Sequence, residues 1–190
     1  FERAEQSLRQ AMLDMPEIDH GGNLEKFPNA TFHIQDQEMS YVTGRYMRYP
    51  VLRNSFNPDD VCHLVKELYK DRVEFHNGDE ELFPGLTLHH VGGHTQGMQF
   101  VRAWTERGWV VLASDSMHLY ANWIHKNPFP TVLHIGDMLE GHKKVARLAD
   151  GPEHVIPGHD PMVMEIYPPV SEELKDIAVR VDLPPLRPPF

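Results

Sequence analysis

The chain has 190 residues, 41% of them hydrophobic, and a formal net charge of −10. Those figures suit one globular domain with a sizeable core and argue against a nucleic-acid partner, which calls for a basic stripe. No run approaches the roughly 18 consecutive apolar residues of a membrane span, so no membrane partner is expected.

No basic segment followed by an apolar run opens the sequence, so no secretory leader is expected. ERAEQSLRQAML places Ala4, Leu8, Met12 and Leu13 on one face of an amphipathic helix. ATFHIQ, residues 30–35, reads as a strand, with a polar helix starting near Asp36. NPDDVCHLVKELYK predicts a helix capped by Asn57, with Pro58 at its first position. The single cysteine, Cys62, lies within it; the expectation is a buried structural thiol, unable to form an internal disulfide and suited to a reducing cytoplasm. RVEF is a strand, and the Asn-Gly of HNGD a turn. LTLHHV, MQFVRAW and WVVLASD are three strands, the last two joined by a hairpin at TERG. HIGDMLEGHKKVARLAD is a helix, EHVIP a buried strand, and the Pro-rich end at 183–190 an extended, rigid tail. Strands and helices alternating in this way predict an α/β layered domain spanning 1–190.

Three polar residues fall just past apolar strands. His94 follows LTLHHVGG, Asp115 ends WVVLAS, and His159 follows EHVIPG. Loops beyond strand ends are where layered folds build sites, and the flanking glycines allow sharp turns and close approach. Two histidines and an aspartate converging from separate strands have the composition of a zinc-type site. Of the 13 histidines, His89 and His90 alternate across a strand, so one faces solvent. His134 and His142, near Asp137 and Glu140, are expected at a helix surface. His33, His63, His76, His125 and His154 carry no constellation. The stretch MHLYANWIHKNPFP after Asp115 suits either the wall of an apolar pocket or ordinary core.

Near the front stands Asp19-His20-Gly21-Gly22. Together with GGHTQGMQ around His94, LASDSMHLY around Asp115 and PGHDP around His159, it resembles the motif set of the metallo-β-lactamase superfamily. Within that superfamily it is most similar to the N-acyl homoserine lactonase-like, quorum-quenching branch. The resemblance runs from Asp19 to about residue 165 and implies an αββα sandwich. Met15 and Glu17 stand where the family's first two motif histidines belong, and residues 1–18 are too few for the half-domain that precedes the motif. AMLDM also runs into PEIDH without the strand usual at that point. The expectation is therefore an incomplete N-terminal part, with both histidines belonging to the intact protein.

The resemblance further implies two divalent metal ions, zinc above others. Asp19, His20 and His159 would hold one, His94 with the missing pair the other, and Asp115 would bridge them. It implies attack of a bridging hydroxide on a lactone carbonyl, with Asp19 passing a proton to the leaving alkoxide. Lactonases of this kind place a tyrosine three residues after the bridging aspartate. His118 occupies that position here and Tyr120 follows, so either is a candidate donor to the carbonyl oxygen. The resulting expectation is a cytoplasmic metallohydrolase that opens an N-acyl homoserine lactone or a related lactone, and a homodimer is compatible with it. The alternatives are a non-catalytic metal-binding member and a glyoxalase II-like thioester hydrolase. The latter wants basic residues that SEELKDIAVRVDLPPLRPPF barely offers.

Overall fold

The computed structural model describes residues 24–190. The expected first helix, Met15, Glu17, Asp19 and His20 lie outside the described residues. Within them the expected α/β character is present as two sheets. In the smaller sheet, β1 (Phe32–Gln35) and β2 (Val73–His76) pair in parallel. Alternation sends Phe32 and Ile34 into a core with Leu24, Tyr41, Val42 and Leu64, while His33 and Gln35 share the opposite face with Glu74 and His76.

The larger sheet has the order β3 (Glu80–Phe83), β4 (Leu86–His90), β5 (Gln99–Thr105), β6 (Gly108–Ser114), β7 (Val155–Pro157). Its pairs are antiparallel except β6 with β7. The hairpin expected at TERG joins β5 to β6. One set of inward residues, Phe100, Val111, Ala113 and Val155, packs with Met117 and Val145; another joins Leu86, Leu88, Val101 and Ala103. β3 had no sequence signal because it is a mostly exposed, acidic edge strand without apolar alternation.

The helices are α1 (Asp36–Val42), α2 (Pro50–Arg53), α3 (Pro58–Leu68), α4 (Tyr120–Ile124), α5 (Ile135–Leu148) and α6 (Met162–Ile166). α2, α4 and α6 are too short to write a helical period into the sequence. α3 begins as expected, the Asn57 side chain accepting from the Asp59 N–H at 3.0 Å ahead of Pro58. Two expectations fail on helical geometry. Leu64 and Glu67 define the buried face of α3, and Cys62, two residues from Leu64, points the other way and is exposed. On α5 the buried face is Met138, Gly141, His142 and Val145, so His142 lies on the apolar stripe rather than at the surface. The Pro-rich end carries neither helix nor strand. It folds back so that the Leu186 N–H donates to the Ile166 carbonyl and Phe190 packs edge-on against Trp123. Among the described residues no helix is long and apolar enough to cross a membrane.

α3 is tied to the small sheet by a buried carboxylate. Glu67 takes hydrogen bonds from Lys70 and Arg72, both at 2.7 Å, and Arg72 also donates to the Ala30 and Phe27 carbonyls. The Lys70 hydrogen bond, and then the charges of Arg72, Lys70 and His63, hold the Glu67 carboxyl below its ordinary value of 4.5 against the opposing effect of burial. A carboxyl depressed in the folded state stabilises fully above its unfolded value, and loses that contribution as pH falls through the folded one. Glu67→Gln is therefore expected to cost about 1–3 kcal/mol at neutral pH. In urea titrations the gap between variant and parent should close progressively below pH 4.5; a gap constant down to pH 3 would contradict this account.

Candidate metal centre

Three loops, each at the end of a strand, build the site. The first follows β4. Gly93 has φ +95°, and a Cβ there would lie 2.7 Å from the Met138 backbone nitrogen, so only glycine lets the start of α5 press onto this loop. The Gly93 carbonyl accepts from the N–H groups of Leu133 and His134. On the other side, Glu38 of α1 accepts from the Thr95 hydroxyl at 2.6 Å and the Gly97 N–H at 2.8 Å. His94 is thereby held between α1 and α5.

The second loop follows β6. Ser114 is a non-glycine residue at φ +46°, a conformation that costs energy and persists only when its surroundings enforce it. The third loop supplies the enforcement: a Cβ at Gly158 would lie 2.6 Å from the Ser114 carbonyl carbon, so the chain after β7 packs directly on that backbone. The Gly158 and His159 N–H groups donate to the Met117 and His118 carbonyls, both at 3.0 Å. Asp160 completes the clamp, one oxygen accepting from the Tyr120 N–H at 2.9 Å and the other from the Met162 N–H at 3.0 Å.

These loops bring the side chains together. Asp115 Oδ1 lies 2.8 Å from Nε2 of His118 and 2.8 Å from Nε2 of His159. His94, Asp115 and His118 are all buried, with one donor atom of each within 4.8 Å of the others. The His94 ring meets His118 edge-on at 5.1 Å, and His159 lies nearly parallel to His118 at 5.3 Å. His94 Nδ1 is 2.8 Å from the Thr131 carbonyl. A carbonyl only accepts, so Nδ1 carries a proton, and in the neutral ring Nε2 is the nitrogen with the lone pair. Outer carbonyls orient metal-ligating histidines in the same way. The Asp115 side chain is 2% exposed and that of His159 46% exposed, so the cluster is closed on the protein side and open past His159. A carboxylate buried to this degree calls for a positive partner. With imidazole nitrogens on several sides, the donor set fits a zinc-type ion.

His94, Asp115, His118 and His159, all expected from the sequence as site residues, thus converge, while Asp19 and His20 lie outside the described residues. Tyr120, the other candidate donor to a substrate carbonyl, is not brought to the cluster. It is buried with Val110, Ile156, Ile166 and Tyr167, its hydroxyl donates to the Val155 carbonyl at 3.1 Å, and burial above all pushes its phenol well above the ordinary value. Several supporting residues had no place in the sequence reading. Phe129 stacks on His118 at 4.5 Å, Thr131 contributes only a backbone atom, and His142 was assigned to the surface. Asp160 was not singled out either, although an Asp between a Gly-His pair and a Pro is a capping signal. A small cleft beside His94, about 280 Å³ counting space open to solvent, is lined by Tyr41, Leu52, Phe56, Thr95, Val132 and Leu133. The stretch from Met117 to Pro130 contributes no residue to this cleft; its Phe129 stacks on His118 instead.

The chain is similar in structure to solved metal-dependent hydrolases. An N-acyl homoserine lactone hydrolase, with the product N-hexanoyl-L-homoserine bound at its catalytic metal centre, matches with a TM-score of 0.61 at 22% identity, over 77% of this chain and 53% of that one. AidC, a dizinc quorum-quenching lactonase in complex with the same product, matches at 0.55 and 16% identity, over 71% and 49%. AbOPH, a hydrolase in the β-lactamase superfamily, matches at 0.55 and 18% identity, over 71% and 49%. The chain therefore spans about half the length of the solved structures it matches. No protein-family model and no curated protein sequence matches it. The sequence motifs and the structural likeness agree on the architecture: the chain has the metallo-β-lactamase fold.

Proposed function

We propose that the Asp115 cluster is the centre of a metal-dependent hydrolase that opens a lactone ring, an N-acyl homoserine lactone or a relative of it. The observation that carries this reading is the approach of one buried carboxylate oxygen to two imidazole nitrogens at 2.8 Å each, with His94 alongside. The product-bound lactone hydrolases of the same fold support the choice of substrate class. Asp115, His94 and His159 are assigned as ligands, and Asp19 and His20 as further ligands of a second ion shared with His159. A divalent ion at such a site polarises an ester carbonyl and brings the pKa of bound water near 7.

The protein's own groups have defined tasks. The Thr131 carbonyl holds the Nδ1 proton of His94, which leaves Nε2 as the nitrogen to face a metal. Asp115 places negative charge where cations gather, and its burial strengthens that attraction. The half-exposed His159 marks the side from which substrate enters, and Phe129 walls the opposite flank of His118.

Two outcomes are expected. The full chain loaded with zinc or manganese should release acid from lactones in a pH-stat, and chelator should abolish this. Asp115→Asn should lower kcat/KM by more than the roughly 10–100-fold typical of groups that only support a ligand. Bound metal without turnover of any lactone, or preference for a lactoylglutathione thioester, would contradict the lactonase reading. Independently, zinc at about 100 times its Kd should stabilise the fold by about 2.7 kcal/mol, seen as a rise in Tm reversed by chelator and absent in Asp115→Asn. An unchanged Tm would argue that the cluster holds no ion.

A further inference from the structure

We propose that His118 is itself a metal ligand, with His142 as the residue that positions it; this rests on reading the Asp115 cluster as a metal centre. His94, Asp115 and His118 form the one group among the described residues whose donor atoms are close enough, all three side chains buried, to hold an ion. Two donors that share a tetrahedral ion at about 2.0–2.1 Å each lie about 3.3 Å apart; Nε2 of His118, 2.8 Å from Asp115 Oδ1, reaches that spacing with a shift of about half an ångström. The ring is also held in place, stacked on Phe129 at an interplanar angle of 17°.

Three buried ring nitrogens behind this arrangement have no hydrogen bond of normal geometry: Nδ1 of His118 and both nitrogens of His142. An unpaired buried polar group is costly, so three on two neighbouring residues call for a reason. If His118 ligates through Nε2, its proton resides on Nδ1 and needs an acceptor. Neutral His142 has one donor and one acceptor nitrogen. His142 is on the buried face of α5, with His118 and the Ser116 backbone as its neighbours. Rotation of the His142 ring to accept from His118 Nδ1 gives His118 the same kind of outer partner that Thr131 gives His94. His118 then completes a set of three protein ligands, His94, Asp115 and His118, that is independent of Asp19 and His20.

The test uses the full chain and Co²⁺ alone, followed by visible absorption and by competition with Zn²⁺. His118→Tyr and His118→Phe are expected to weaken binding by more than roughly 100-fold and to change the ligand-field band. His142→Phe should weaken it by roughly 10–100-fold, and His142→Gln, which retains a hydrogen-bonding amide, should recover most of that. Circular dichroism confirms that each variant folds. The unaltered chain, labelled with ¹⁵N at histidine and loaded with ¹¹³Cd²⁺, should show cadmium coupling to Nε2 of His118, a readout that needs no variant for detection. Parental Co²⁺ affinity and band in His118→Phe, or cadmium coupling to His94 but not to His118, would overturn this proposal and leave the hydrolase reading standing. No metal uptake by the unaltered chain would overturn both.

Discussion

A carboxylate taken out of water is the constraint around which this structure is organised. Asp115 sits just past the end of β6, only 2% exposed, where an uncompensated charge would cost several kcal/mol. Its surroundings answer that cost. Imidazole nitrogens of His118 and His159 reach one of its oxygens, and His94 stands close by with a lone pair directed by the Thr131 carbonyl. The backbone accepts strain to put the carboxylate there, since Ser114 occupies a left-handed conformation immediately before it. Such strain survives where packing enforces it, and Gly158 lying against Ser114 is that packing.

The loops are bound to one another more firmly than to solvent, and this makes the cluster a preorganised site rather than a chance meeting of side chains. His159 is fixed through its own N–H on the His118 carbonyl, and Asp160 fastens the same loop to the starts of α4 and α6. Glu38 reaches from α1 to the His94 loop, and the opening residues of α5 hold that loop from the other side. Rigid elements therefore position every donor atom within the described residues, as a metal site that must hold its geometry requires. The small sheet has an anchor of its own in Glu67 and Arg72, and it also joins β5 directly, where Gln99 accepts from the Gln35 side chain and donates to the His33 carbonyl.

His94, Asp115 and His159 were legible because each follows a strongly apolar strand with glycine nearby, and that pattern has few other uses. The long helices α3 and α5 and the strands β4 to β7 were legible for the same kind of reason, namely period and capping residues. What escaped the sequence escaped for physical reasons. β3 is an edge strand held by pairing rather than burial, and it carries no alternation. Tyr120 stands close to Asp115 in sequence, yet the turn into α4 swings its hydroxyl to the Val155 carbonyl. Cys62 and His142 were misplaced because residue type was weighed above helical position: Leu64, two residues on, puts Cys62 on the far face, and Met138 and Val145, four and three residues away, put His142 on the buried one. His118 was recognised as a site residue, but its contact with Asp115 is a tertiary fact that spacing alone leaves open between a substrate donor and a ligand.

Every part of this account depends on a metal ion seated among His94, Asp115, His118 and His159. The most direct test is zinc K-edge X-ray absorption on the zinc-loaded full chain. The account predicts a nearest shell of nitrogen and oxygen at about 2.0–2.2 Å, accompanied by the outer scattering of imidazole rings. Zinc that washes away on desalting, or zinc surrounded by oxygen alone without imidazole scattering, would contradict it.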